Sequence, residues 1–162
     1  MSMFKRRESP APAESPADSG VAREIGRRSE MPRADFEELV AELYRALGHD
    51  ARRTGTPGER VVDVVVVAKN GQHWIVQCKQ WRGAVGESVI REFYAAMHRE
   101  HAAQGAIITT ARFTPKARQW AQGKALHLYD GPEFLRALKR IKGPAADELL
   151  NPQAAPSSQP SA

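Results

Sequence analysis

The sequence predicts an α/β protein with a mixed central sheet that is flanked by helices on both faces. Short runs of β-branched residues alternate with segments in which apolar residues recur every three or four positions, which is typical of strands followed by helices. Three strand-like segments come in succession, and the later ones are separated by helices. We therefore expect an antiparallel meander that leads into parallel β-α-β units. The predicted order is α-β-β-β-α-β-α-β-α.

The composition limits the class of protein. The chain has 162 residues, which suits one domain of ordinary size. Its single cysteine excludes an internal disulfide framework, and it has no run of 18 apolar residues that would span a membrane. We therefore expect a cytoplasmic protein. The net charge is +5, and residues 31–142 hold +6 because the two ends together are net acidic. The positive charge of this middle segment suits a polyanionic partner.

Both ends of the chain are poor in large apolar residues. Residues 1–32 are rich in Ser, Pro, Ala, Glu and Arg, and residues 143–162 have the same character. Such segments bury too little apolar surface to offset the entropy lost on ordering. We therefore predict disordered tails at 1–32 and 143–162 around a single domain at 33–142.

The first half of the predicted domain contains one helix and three strands. Apolar residues from Phe36 to Leu47 fall at helical spacing, and Asp35 with Glu38 resembles a capping box. The strands are expected at 49–53, 61–68 and 73–79, with a loop at 54–58 and a turn at Asn70-Gly71.

The second half alternates helices with strands. Helices are expected at 88–101, from 114 to about 122 and at 132–141, with strands at 106–110 and 125–129 between them. Thr114 is a preferred N-cap residue, and Pro115 suits the first position of a helix. This alternation supports the parallel part of the predicted sheet.

Asp63 is the most informative residue for function. It interrupts a run of valines in a predicted strand, where a carboxylate is costly unless it is paired or metal-bound. On the next strand, Gln77 and Lys79 are two residues apart and share a face. Acid and amide oxygens can hold a hard metal ion, and a lysine can orient water or stabilise negative charge on phosphate. A buried Asp63–Lys79 salt bridge is an alternative of equal weight.

With these residues, the sequence resembles the Asp…Gln-x-Lys variant of the PD-(D/E)xK nuclease signature. It is similar in particular to the catalytic domain of Mrr-like type IV restriction endonucleases. Besides Asp63, the likeness includes Phe36–Val40, Gln77–Trp81 and Ile108–Thr114, and it runs over roughly residues 34–140. The resemblance implies a restriction-endonuclease-like fold.

The resemblance also implies a site that hydrolyses phosphodiester bonds in DNA with Mg²⁺, or with Mn²⁺. Its implied catalytic residues are Asp63, Gln77, Lys79 and Glu37, and its implied metal ligands are Asp63, Gln77, Glu37 and the backbone carbonyl of Cys78. Glu37 is equally well explained as an acid in the first turn of a helix, where the helix dipole favours it. The Cys78 side chain points to the opposite face and is expected to pack in a core.

Four basic residues are expected to contact DNA, namely Arg60, Arg82, Arg112 and Lys116. Arg60 lies in a loop that departs from the family's Gly-Asp-Gly-Gly-x-Asp pattern, because Arg60 and Val61 replace two glycines. Glycines at these positions would allow the backbone to approach a phosphate closely.

The hairpin between the second and third strands has two possible registers. A two-residue Asn70-Gly71 turn would place Asp63 opposite Cys78, and Gln77 would then lie on the other face. A three-residue loop that adds Lys69 would place Asp63 opposite Gln77, with the glycine in the left-handed position of a bulged turn. We predict the three-residue loop, or a β-bulge between Asp63 and Gln77, which would also bring these two side chains to one face of the sheet.

Three interpretations of function remain at this level. The first is a metal-dependent DNA endonuclease of restriction-type defence against foreign DNA. The second is a nuclease-fold DNA-binding module that has lost catalysis, which the altered loop favours, and the third is a nuclease of DNA repair or recombination. DNA is the expected partner, and a homodimer is left open. Family members usually carry a separate domain for modified DNA, and 162 residues leave no room for one, so specificity for methylated DNA is not predicted.

Overall fold

The computed structural model describes residues 16–55 and 61–143, with the side chains of 16–19 and 142 left out. The described residues form five strands and five helices. The strands are β1 (Asp50–Arg53), β2 (Val64–Val67), β3 (His73–Lys79), β4 (Gln104–Thr109) and β5 (Leu126–Tyr129). The helices are α1 (Pro16–Glu30), α2 (Arg33–Ala46), α3 (Glu87–Arg99), α4 (Pro115–Ala121) and α5 (Gly131–Lys142). No helix in this part of the chain is long and apolar enough to cross a membrane.

The strands form one mixed sheet in the order β1-β2-β3-β4-β5. The first three strands pair antiparallel, as an antiparallel meander does, and β3, β4 and β5 pair parallel. The two parallel connections contain α3 and α4, which is the crossover arrangement that parallel neighbours require. The predicted α/β fold with a mixed, helix-flanked sheet is therefore confirmed.

The sheet separates two apolar cores. Alternation along β3 directs Val76 and Cys78 to one face and Ile75 to the other. The first core is closed by side chains of α2 and α5, and the second by side chains of α3 and α4 (Phe36, Leu39, Phe134 and Leu138; Ile90, Phe93, Ala117 and Ala121). Because α2 packs against β1, β2 and β3, the polar residues of its first turns lie over the ends of these strands.

Several element boundaries differ from the prediction, among them the starts of β2 and α2. β2 begins at Val64 and not at residue 61. α2 begins at Arg33, with Pro32 as the N-cap residue, so Asp35 lies inside the first turn and the predicted capping box is wrong. The Pro32 carbonyl accepts hydrogen bonds from the N–H groups of Asp35 and Phe36, and proline's restricted φ suits the entry to a helix.

The prediction of a disordered N-terminal tail is wrong for residues 16–30, which form α1. Val21 and Ile25 are four residues apart, so they form a narrow apolar stripe that packs against the α2–α5 core. Arg28 is buried and bonded to Glu24 at 2.6 Å, and burial lowers the pKa of its guanidinium. The average composition of the segment concealed this stripe. Residues 1–15 and 144–162 of the predicted tails lie outside the described residues.

The junction of α1 with α2 is also bonded to the end of β3. The side-chain amide of Gln80 donates to the carbonyls of Arg28 and Met31, at 2.9 and 2.8 Å. A Cβ atom on Gly131 would lie 2.7 Å from the Thr110 carbonyl and 3.1 Å from Ile25, so glycine allows α5 to lie close to both. α1 is thus part of the domain's packing.

We expect Ile25→Ala to lower the free energy of unfolding by about 1–2 kcal/mol, less than for a fully buried isoleucine because Ile25 is only partly covered. Chemical denaturation of the full chain measures this change. Arg23→Ala on the exposed face of the same helix is the matched control. Equal stability of the two variants would show that α1 does not contribute through this contact.

Candidate active site

The β2–β3 hairpin brings Asp63 to the end of β3. The paired residues run from Val67 opposite His73 to Val64 opposite Val76. Gly71 has a φ of +84° and closes a loop of residues 69–71, with a 2.8 Å bond from its N–H to the carbonyl of residue 68. The predicted three-residue loop is therefore confirmed, and its even register holds as far as Val64. The predicted pairing of Asp63 with Gln77 is wrong, because Asp63 bonds to Val76.

Asp63 itself departs from the regular ladder. Its N–H donates to the Val76 carbonyl at 2.9 Å, although Val76 is the partner of Val64. Two residues of one strand thus oppose one residue of the next, which is the pattern of a β-bulge. The Asp63 carboxylate takes the place of a strand backbone, because its Oδ2 accepts the Cys78 N–H at 2.7 Å.

The second acid of the site, Glu37, is linked to Asp63 through an arginine. Arg33 donates from Nη2 to Asp63 Oδ1 at 3.0 Å and from Nε to Glu37 Oε1 at 2.9 Å. Arg53, at the end of β1, donates from Nε to Glu37 Oε2 at 3.3 Å. Both acids are buried, so their negative charge is compensated mainly by these guanidinium groups.

Burial has the largest effect on the pKa values of Asp63 and Cys78. It raises the pKa of Asp63, and the nearby Glu37 charge acts in the same direction, whereas the Cys78 N–H and Arg33 oppose it. Burial also raises the pKa of the Cys78 thiol well above its ordinary value. The Cys78 side chain is part of the α2–α5 core, so the prediction that it packs, and does not act as a nucleophile, agrees with its place in the structure.

Gln77 and Lys79 have different surroundings. Gln77 is 6% exposed, and its Oε1 has no hydrogen-bond partner among the described residues. The Lys79 ammonium lies 4.7 Å from the centroid of the Trp81 ring and forms no ion pair within the described ranges. The alternative of an Asp63–Lys79 salt bridge is therefore wrong, since Asp63 pairs with Arg33.

The oxygen donors suit a hard divalent cation. Asp63 supplies a carboxylate, Gln77 a buried amide oxygen without a partner, and Cys78 a carbonyl that points, like its N–H, toward Asp63. Mg²⁺ and Mn²⁺ prefer such ligands. The described residues contain no group of three or more His, Cys, Asp and Glu side chains that could hold a metal.

The segments that follow β3 and β4 are bonded to each other. The Thr110 hydroxyl donates to the Trp81 carbonyl at 3.2 Å. The Val85 N–H donates to the Arg112 carbonyl at 2.7 Å, and its carbonyl accepts the Thr114 N–H at 3.0 Å. Parallel strands end at the same edge of a sheet, so these bonds extend that edge into one continuous surface next to the site.

Three of the four predicted DNA-contacting residues lie on or beside these segments. Arg82 and Arg112 are exposed within them, and Lys116 is exposed in the first turn of α4. Arg118, two residues further, is held by ion pairs with two acidic side chains. Arg60, the fourth predicted contact, lies outside the described residues.

The valines in the altered loop have a packing role. Val62 is buried and Val61 partly buried against the α3–α4 core. The Val62 carbonyl accepts a bond from the Thr54 hydroxyl at 3.1 Å. At Val61, two residues before Asp63, a glycine of the pattern described above is thus replaced by a side chain that contacts the core.

Sequence reasoning missed the two arginines of the site. Arg33 has a local signal, because it precedes Glu37 by four residues, the spacing of a helical ion pair. Arg53 has no local signal, since only the meeting of β1 with α2 brings it to Glu37.

One pocket lined by described residues does not coincide with this site. It measures about 380 Å³ and lies between α2 and α5, where Leu43, Tyr44, Tyr129 and Phe134 line it. It contains neither Asp63 nor Gln77.

A family model described as a restriction endonuclease, that of the Mrr catalytic domain, matches residues 28–138. The chain is 32% identical over 123 residues to the type IV methyl-directed restriction enzyme EcoKMrr of Escherichia coli strain K12. That match covers 71% of this chain and 40% of the enzyme.

Two solved structures share the fold. The DNA modification-dependent restriction endonuclease AspBHI aligns with a TM-score of 0.62 at 20% identity, over 94% of this chain and 43% of that one. The MspJI restriction endonuclease, in complex with a 27-mer oligonucleotide, aligns with a TM-score of 0.63 at 18% identity, over 94% and 38%. The chain thus spans less than half the length of each of these relatives.

We expect Asp63→Asn to be at least as stable as the wild type at neutral pH. A raised folded-state pKa means that the contribution of Asp63 to stability is full below its unfolded pKa and is lost as the pH rises through its folded pKa. The advantage of Asp63→Asn over the wild type should therefore shrink as the pH falls toward 4. Thermal melting across this pH range measures the effect.

Asp63→Ala is the comparison variant, because it removes the acceptor of the buried Cys78 N–H. A buried donor without a partner costs about 1–3 kcal/mol. If Asp63→Asn melted as low as Asp63→Ala at pH 7, the Asp63 charge would be stabilising and our account of its burial would be wrong.

Proposed function

Because this chain belongs to the Mrr catalytic-domain family of restriction endonucleases, we propose that it is a metal-dependent endonuclease that hydrolyses phosphodiester bonds of DNA in restriction-type defence. One observation carries the proposal beyond family membership. The bulge at Asp63 lets its carboxylate accept the Cys78 N–H of β3, and Gln77, one residue earlier on the same strand, has a buried Oε1 without a partner in the described residues. A site of this kind needs a cation and an anionic substrate to complete it.

We propose that Asp63, the Gln77 Oε1 atom and the Cys78 carbonyl hold Mg²⁺ or Mn²⁺, with Glu37 as a further ligand. When bound, such an ion polarises the phosphate and lowers the pKa of a coordinated water. In this proposal the residues of the chain bind and orient the DNA around that centre.

Lys79 has a separate role in the proposal. Its ammonium group lies against the Trp81 ring, which limits where the flexible side chain can point. A cation held beside the scissile phosphate stabilises the negative charge that develops as the bond to the attacking water forms. Arg82, Arg112 and Lys116 bind neighbouring phosphates through charge and carry no sequence information.

We expect Lys79→Ala and Asp63→Asn each to lower the rate of plasmid cleavage about 100-fold or more, since each removes a group that stabilises charge in the transition state. A supercoiled-plasmid assay with Mg²⁺ or Mn²⁺ measures the rate, and circular dichroism checks that each variant folds. Lys139→Ala, an exposed lysine of α5, is the matched control and should cleave like the wild type.

Each outcome of this assay separates the candidate functions. Wild-type cleavage that persists in Lys79→Ala would refute the assignment of the site. A wild type that binds DNA but cuts no substrate, methylated or unmethylated, linear or branched, would favour the catalytically impaired DNA-binding module. Preference for branched over linear duplex would favour a repair or recombination nuclease.

DNA affinity is expected to fall with salt and to depend little on sequence. Each phosphate contact contributes about −0.9 to the slope of log K against log salt on duplex DNA. Replacing Arg82, Arg112 or Lys116 by Gln should each reduce the slope by about that amount, whereas Lys139→Gln should leave it nearly unchanged. Fluorescence anisotropy with a labelled duplex, in Ca²⁺ or without metal, measures the slopes. If Lys139→Gln reduced the slope as much as the other three variants, the DNA-binding surface would lie elsewhere.

A further inference from the structure

The carboxylate oxygens of the candidate site are already occupied. Arg33 bonds one oxygen of Asp63 and one of Glu37, the Cys78 N–H bonds the second oxygen of Asp63, and Arg53 bonds the second oxygen of Glu37. A divalent cation that is to bind between these acids must therefore take over bonds that the protein now makes to itself.

The groups that bond the two carboxylates differ in how easily they can move away. The side chains of Asp63 and Glu37 are 5% and 11% exposed, whereas that of Arg33 is 51% exposed. The Cys78 N–H belongs to the backbone of β3 and cannot move away. Of the groups on Asp63, only the Arg33 guanidinium can return to water without disturbing the fold.

Arg33 also has the charge and position of a cation substitute. It bridges the two acids with bonds of 2.9 and 3.0 Å, as a bound cation would, and so compensates two buried negative charges at once. The buried Gln77 Oε1 has no partner in the described part of the chain, so Arg33 does not bond it. An arginine therefore completes the charge of the site but not its set of ligands.

We propose that Arg33 is a displaceable counter-ion that occupies the metal position in the free protein and lowers metal affinity by competing for Asp63 and Glu37. This inference rests on the proposed function, because it requires a metal at this site. Metal binding breaks both Arg33 bonds and frees a guanidinium at the edge of the site, whereas Arg53, which contacts Glu37 alone at 3.3 Å, is displaced at most from one acid.

Mn²⁺ binding to the full chain without DNA tests the proposal, with isothermal titration calorimetry or the electron paramagnetic resonance signal of free Mn²⁺ as the readout. We expect Arg33→Gln to bind Mn²⁺ about threefold to tenfold more tightly than the wild type, the range set by a partly exposed, doubly bonded ion pair. Arg53→Gln is the matched control and should change the affinity less. Asp63→Asn should lose the binding, which separates this site from adventitious surface binding.

Arg33→Lys provides a second test, because an ammonium group keeps the charge but cannot bridge two carboxylates in the same way. Its Mn²⁺ affinity should lie between those of the wild type and Arg33→Gln. Affinity that is unchanged or weaker in a folded Arg33→Gln would overturn the competition while leaving the metal site intact. Binding to none of these proteins would overturn the metal site itself, and the inference with it.

Discussion

The hydrogen bond from the Cys78 N–H to the Asp63 carboxylate is the interaction on which the candidate site depends. It exists because β2 bulges at Asp63, so that a side chain and not a strand backbone meets β3 at this point. The bulge leaves the backbone of Cys78 facing an acid. Gln77, immediately before it, keeps an amide oxygen without a partner in the described residues. A regular ladder would have paired these backbone groups with the neighbouring strand and not with a carboxylate.

Two buried carboxylates in one site would destabilise the fold if they were not compensated. Burial raises the pKa of Asp63, and the neighbouring Glu37 adds to this effect. Arg33 and Arg53 provide the opposite charge, but both approach from the more exposed side. The protein thus keeps its acids buried and its counter-ions partly exposed. This arrangement compensates the buried negative charge with groups of the chain itself.

The remaining structure supports this edge of the sheet. α2 is held over β1, β2 and β3 by the first core, and Gln80 bonds the junction of α1 and α2 to the end of β3. On the other side, bonds between the segments after β3 and β4 bring Arg82 and Arg112 to the same surface. The proposed DNA-binding residues and the acids are therefore positioned by one set of strand ends.

Most of the fold and part of the site followed from the sequence alone. Periodicity and turn chemistry are local, so they identified the strands, most helices and the three-residue loop ending in Gly71, and the resemblance to Mrr-like restriction endonucleases is confirmed. Only the tertiary structure decided that α1 docks through Val21 and Ile25, that β2 bulges and that Arg33 bridges to Asp63. The physical reason is distance along the chain. Each of these features depends on contacts between groups that are far apart in sequence, and the folded backbone determines which of them meet.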